Sequence, residues 1–154
     1  MENVALPLYY QKVGRKERQE KALKYLDQVG LKEWATHLPS ELSGGMKRRI
    51  NLIAGILHRP ELLFLDEPTV GVDVQSKKAI TTKLRELNAS GTTIIYTSHH
   101  LREAQELCTR VGIIDSGKII AEDTPLNLIS EIENARNLED VFIELTGRDL
   151  RDYA

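Results

Sequence analysis

The chain has 154 residues, 41% hydrophobic and 29% charged, with a formal net charge of −2, which fits a globular protein with its own core and gives no electrostatic reason to expect nucleic acid as a partner. Cys108 is the single cysteine, so an internal disulfide is excluded and a reducing compartment fits. No apolar run approaches the ~20 residues of a spanning helix, and the N-terminus lacks the basic, apolar and small-residue order of a signal peptide, so any tie to a membrane is expected to run through a partner.

Residues 1–12 are mixed and indicate no clear element. Residues 17–29 read as a helix, with Ala22, Leu23, Leu26 and Val29 on one face and Gly30 as the stop. Residues 39–45 are a break. Residues 46–57 are helical again, ended by His58-Arg59-Pro60. Residues 62–66 form a short continuous apolar run, the pattern of a strand buried on both faces. A helix over 74–87 follows, then a β-branched strand over 92–98. A short helix is expected at 101–108, then strands at 111–115 and 118–122 joined by Ser116-Gly117 in a hairpin-like turn. In the tail, Thr124-Pro125 reads as a cap with proline at the first helical position. Leu138, Val141, Phe142 and Leu145 then mark a helix face with Gly147 after it, packing on the core or on a partner. Strands alternating with helices predict an α/β chain with a mostly parallel sheet.

Ligands of open parallel sheets sit beyond the carboxyl ends of the strands. The strand at 62–65 runs into Asp66-Glu67, and the strand ending at Thr97 runs into Ser98-His99-His100. Asp66 is suited to hold Mg²⁺, directly or through water. Glu67 is suited to orient or deprotonate an attacking water. A histidine N–H can respond to developing phosphate charge. The alternative is a plain turn at Asp66-Glu67 and histidines that cap the next helix. The segment Leu42-Ser43-Gly44-Gly45-Met46 opens a helix. A serine cap, two glycines and the positive end of a helix dipole make an anion site, with phosphate as the natural guest and Lys47, Arg48 and Arg49 adding charge. The alternative is a capped turn followed by a solvated basic face.

Taken together the motifs resemble the ATPase subunits of ATP-binding cassette (ABC) transporters. Leu42-Ser43-Gly44-Gly45 is similar to their signature sequence. Residues 62–67 resemble the Walker B strand with its catalytic glutamate, residues 68–73 the D-loop, and Thr97-Ser98-His99 the switch-histidine segment. Residues 138–142 resemble the tail of the drug and polysaccharide exporter branch. Val74 stands where proline is common in the family. The resemblance implies ATP and Mg²⁺ as cofactors, with Asp66 on the metal, Glu67 polarising the water and His99 on the γ-phosphate. It implies that Asp73 bridges to a second ATPase domain, identical or different. It also implies that Ser43, Gly44 and Gly45 contact the ATP held by that domain, with His100 a bystander. It further implies a transmembrane permease partner and a cytoplasmic location, peripheral on the membrane.

No run of the form G-x-x-x-x-G-K-[ST] occurs in the sequence, and Met1-Glu2-Asn3-Val4 resembles the stretch just after the family's glutamine-containing loop. The expected fold is therefore an incomplete P-loop NTPase of the ABC ATPase type. Residues 1–58 would belong to a helical signature subdomain, 59–123 to the parallel-sheet core and 124–154 to a helical tail. Three functional readings follow. The chain is a piece of an exporter ATPase, inactive alone; or it is a non-catalytic truncated product that pairs with an intact subunit; or it is a non-transport relative. The third is disfavoured by the absence of a long coiled coil and a basic nucleic-acid face, and by the exporter-like segment Val70-Gly71-Val72-Asp73. The transported substrate is not encoded in these residues.

Overall fold

A computed structural model describes residues 3–147. Met1 and Glu2 of the segment compared above, and residues 148–154 of the expected tail, lie outside the described residues. The chain forms two compact units, residues 1–97 and 98–154.

The first unit holds helices α1 (Leu6–Tyr10), α2 (Arg15–Gln28), α3 (Gly44–Ile56) and α4 (Val74–Ala89) and strands β1 (Leu62–Asp66) and β2 (Thr93–Thr97). The helix α1 falls where the sequence pattern is mixed. Its one buried side chain is Leu8, while Leu6, Tyr9 and Tyr10 are exposed. Short 3₁₀ turns at Lys32–Trp34 and Pro39–Glu41 connect α2 to α3. The helix α3 begins two residues earlier than its apolar pattern, because Ser43 caps it by accepting a hydrogen bond from the Met46 N–H. Along α4, Ser76, Ile80, Leu84 and Leu87 are the buried positions, a stripe at helical spacing facing the core. The core gathers Leu26 and Leu31, Ile53 and Ile56 from α3, and Ile80 and Leu84 from α4, each nearly fully buried.

Strands β1 and β2 pair in parallel, with Leu62 opposite Thr93, Phe64 opposite Ile95 and Asp66 opposite Thr97. The crossover between them is α4. The continuous apolar run of β1 is not buried on both faces: Leu63 is 8% exposed but Phe64 is 68% exposed. Side chains alternate across a strand, so Leu62 and Phe64 share a face with the exposed Ile95, while Leu63 packs on the side of α3, near Gly55. Apolar texture without alternation marks a strand whose sequence suits two covered faces; in this unit only one face is covered.

The second unit contains α5 (Leu101–Leu107), β3 (Val111–Asp115), β4 (Lys118–Asp123), α6 (Pro125–Glu131) and α7 (Leu138–Thr146). The strands β3 and β4 form an antiparallel hairpin with a bulge between Ile113 and Ile114. Ser116 and Gly117 both have positive φ, 48° and 75°, the left-handed pair that a two-residue hairpin turn requires. Thr124 caps α6 by accepting from the Asn127 N–H, with Pro125 at its first turn. Asn137 caps α7 in the same way, accepting from Asp140. Leu101, Ile113, Leu128, Leu138 and Val141 form the core of this unit, with Phe142 packed against it. Of the stripe read on the last helix, Leu138, Val141 and Phe142 are directed at this unit's core, while Leu145 is 39% exposed.

The contrast between the two kinds of apolar residue is measurable. Leu84→Ala, at a position 1% exposed, should lower unfolding free energy by about 2–5 kcal/mol in urea denaturation. Phe64→Thr, on the open face, should change it by no more than about 0.5 kcal/mol while reducing self-association in sedimentation experiments.

Candidate functional site

The carboxyl ends of β1 and β2 lie side by side because the strands are parallel and in register at Asp66 and Thr97. The Thr97 hydroxyl donates to Asp66 Oδ1 at 2.5 Å. Glu67 then leaves the strand direction. Its φ is +46°, a left-handed conformation that costs a non-glycine residue on the order of 1 kcal/mol. Its N–H donates to the Thr97 carbonyl at 3.2 Å and approaches the Thr97 hydroxyl oxygen at 3.3 Å. Pro68 and Thr69 are buried below the turn, and the Thr69 hydroxyl meets the Tyr96 hydroxyl at 3.2 Å. The acidic pair is therefore no loose turn: β1, β2 and the segment after β1 fix it.

Ser43 and Gly44 are exposed at the start of α3. A Cβ on Gly44 would meet nothing within 4 Å, so its backbone stays open to a ligand. Gly45 is different. A Cβ there would fall 2.8 Å from Ser76 Oγ and 2.9 Å from Asp73 Oδ2, so the second glycine is required by close approach to the chain's own α4. Asp73 caps α4, its Oδ1 accepting from the Ser76 N–H at 2.9 Å and its Oδ2 from the Ser76 hydroxyl at 2.6 Å. The hydroxyl donation, then the backbone donation, hold the Asp73 carboxyl below the usual carboxylate range, against a smaller opposing effect of desolvation.

The basic run departs from the expectation that all three cations serve an anion site. Lys47 is exposed, but the Arg48 Nε donates to the Pro68 carbonyl at 3.2 Å and its Nη2 to the Glu67 carbonyl. The Arg49 Nη1 donates to the Val29 carbonyl at 2.7 Å, at the C-terminal end of α2. Donor-rich guanidinium groups are drawn to carbonyls left over at turns and helix ends. Of the three, Lys47 is the one whose side chain stands in solvent.

His99 and His100 belong to the second unit, both exposed, with ring centroids 4.2 Å apart. His100 occupies the N-cap position of α5 without a side-chain cap bond, and its own N–H donates to Ser98 Oγ at 2.9 Å. The Cys108 thiol is pushed up by burial and by the neighbouring Glu103 carboxylate, which disfavours the reactive thiolate. Among the described residues no group of three or more His, Cys, Asp or Glu could hold a metal ion, and no helix is long and apolar enough to cross a membrane. The roles of Arg48 and Ser76 escape the sequence reading. Ser76 carries a usable signal, the spacing Asp-x-x-Ser at a helix start. Arg48 carries none, since its partners are backbone carbonyls some 20 residues away.

A family model described as ABC transporter matches residues 2–70. The chain is 46% identical to the linearmycin resistance ATP-binding protein LnrL of Bacillus subtilis, over 84% of this chain and 40% of that protein. It is 34% identical to the methionine import ATP-binding protein MetN 1 of Oenococcus oeni, over 92% of this chain and 40% of that protein. Among solved structures it superposes with a TM-score of 0.73, at 28% identity, on a dimeric ATP-binding cassette in a post-hydrolysis state bound to ADP and Pi. That match covers 80% of this chain and 55% of the other. The chain has the ABC ATPase variant of the P-loop NTPase fold, as a partial domain. It belongs to the ABC transporter ATPase family, and it spans 40% of the length of these two curated relatives.

Two measurements probe the site as built. Gly45→Ala should cost about 1–3 kcal/mol through overpacking, whereas Gly44→Ala, facing open space, should leave stability unchanged or slightly raised; thermal denaturation of the pair compares them directly. For Asp73 the folded pKa lies below the unfolded one, so its stabilising contribution is complete above about pH 4. It is lost as pH falls through the lower folded value. The melting-temperature gap between the wild type and Asp73→Asn should therefore be widest near neutral pH and close under acid conditions.

Proposed function

We propose that this chain supplies part of the ATP-hydrolysing machinery of an ABC transporter, on the exporter side of the family. The observation that carries the reading is the fixed strand-end pair, Asp66 tied to Thr97 and Glu67 turned out of the ladder. In this reading Glu67 is the general base that orients and deprotonates the attacking water, and His99 contacts the γ-phosphate. The donor set fits Mg²⁺: one exposed carboxylate, Asp66, is what an ion that keeps its waters and shares the nucleotide phosphates asks of a protein. Bound there, the ion would neutralise charge developing on the phosphates. Ser43, Gly44, Gly45 and the α3 dipole offer N–H groups to phosphate, the phosphate being that of a second ATPase domain, to which Asp73 forms a bridge. The dimeric relative bound to ADP and Pi supports this pairing.

The greater identity to a resistance protein than to an importer favours export. A transmembrane permease is the partner through which hydrolysis is coupled to transport, at the cytoplasmic face of the membrane. The phosphate-gripping loop that supplies most of the hold on ATP is not among these residues, so hydrolysis requires it from elsewhere. The alternative is a non-catalytic chain that only pairs with an intact ATPase.

Joining to this chain the part of the linearmycin resistance relative that it does not match tests the choice. Residues 1–154 alone should hydrolyse ATP·Mg²⁺ no faster than background. The joined domain should turn over, and Glu67→Gln in it should keep ATP binding while lowering turnover by about 10²–10⁴-fold. A Glu67→Gln form of the joined domain that folds, binds ATP and hydrolyses it as fast as its parent would assign the base elsewhere.

A further inference from the structure

Left-handed turns at the end of a strand create a local problem. Once Glu67 adopts φ +46°, the chain has left β1, which ends at Asp66, and Pro68 has no N–H with which to anchor the segment. Pro68 is buried, and buried carbonyls need a donor. The Glu67 carbonyl accepts from the Val70 N–H at a long 3.3 Å. Further donors come from a side chain on another element, Arg48 on α3, whose Nε reaches Pro68 and whose Nη2 reaches Glu67.

We propose that Arg48 is a positioning residue for Glu67, a strut that holds the backbone turn from which the Glu67 carboxylate is aimed. The inference rests on the reading of Glu67 as general base. Three features carry it. The guanidinium fork meets two successive carbonyls at once, which the single ammonium of lysine cannot do with the same fixed spacing. The side chain is part-buried along this path rather than free in solvent. The next residue, Arg49, makes the corresponding bond to Val29, so α3 is tied on two sides, to the end of α2 and to the turn at Glu67. The same helix opens with Ser43 and Gly44, the candidate phosphate contacts. One rigid element of 13 residues therefore fixes both the phosphate-facing turn and the stance of the base. A displacement of about 1 Å in a reacting group can cost 10²-fold in rate, which gives the strut its functional weight.

Hydrogen exchange on the 154-residue chain tests the geometry without any turnover. In Arg48→Ala, the amides of Glu67, Thr69 and Val70 should exchange about tenfold faster or more, as expected for losing hydrogen bonds from a charged donor. Amides at Leu52 to Ile56, farther along α3, should keep their wild-type protection. Arg48→Lys should restore the protection only in part. Unchanged exchange at residues 67–70 would overturn the proposal, and so would a uniform rise across α2, α3 and α4, which would mark a general loss of stability. In the joined domain described above, Arg48→Ala should lower kcat by about 10–100-fold with KM for ATP within about twofold. If kcat is unaffected while Glu67→Gln abolishes turnover, the strut is refuted and the base stands. If Glu67→Gln is itself active, the base assignment fails, and exchange at residues 67–70 alone decides for or against the strut.

Discussion

Asp66 and Thr97 face each other in the parallel ladder, and the geometry of the candidate site follows from that pairing. A shift of one residue would turn Asp66 to the opposite face and leave the Thr97 hydroxyl without it. Side chains alternate across the strand, and Leu63 lies on the covered face, so Leu62, Phe64 and Asp66 take the other. Burial of one leucine thus dictates where a carboxylate emerges. The crossover through α4 adds a second consequence, since a parallel pair brings both carboxyl ends to one edge. Glu67 can then take two contacts from Thr97 as it leaves the strand.

Around that edge α3 acts as the organising helix. Its first residue is presented by a serine cap, and its second is pressed against the Asp73–Ser76 pair at the start of α4. Its next turn extends Arg48 toward the carbonyls after β1 and Arg49 toward the end of α2. Each bond is modest by itself, as hydrogen bonds in folded proteins are. Together they connect the helix start to the acidic turn and to the α4 cap, with Ile53 and Ile56 buried behind them. The positive end of a helix and a left-handed glutamate are both conformationally demanding; here the same element supports the two.

The exposed face of β1 and β2 is the other consequence of the strand pairing. Leu62, Phe64 and Ile95 line it beside Asp66 and Thr97. An open strand edge and an apolar face are sites of unwanted association unless covered. The relatives at 46% and 34% identity are longer than the part this chain matches. The apolar residues on this face have the composition of a strand meant for two covered sides. The second unit shows the opposite economy: its hairpin and three helices direct Ile113, Leu128, Leu138 and Val141 inward around a core of their own.

Element types and order are legible from the chain because they depend on neighbours in sequence. Apolar spacing marks α2, α3, α4 and α7, β-branched composition marks β2, and Thr124-Pro125 and Ser116-Gly117 mark a cap and a turn by local stereochemistry alone. Four motifs in order are enough to indicate the family, since the chemistry of phosphate and metal demands those residue types at the ends of strands and helices. The helix α1 is too short to establish a period and leaves no such mark. What the sequence cannot decide depends on residues far apart in the chain. Arg48 reads either as charge for an anion site or as part of a solvated basic face, because its partners are backbone atoms, which carry no side-chain signature. The close approach that requires glycine at position 45 is invisible in the sequence, because the crowding by Asp73 and Ser76 exists only once α3 meets α4. The strand β1 reads as buried on both sides because an apolar run records what surrounds a strand in its finished setting, whereas exposure is settled by which elements are there to cover it.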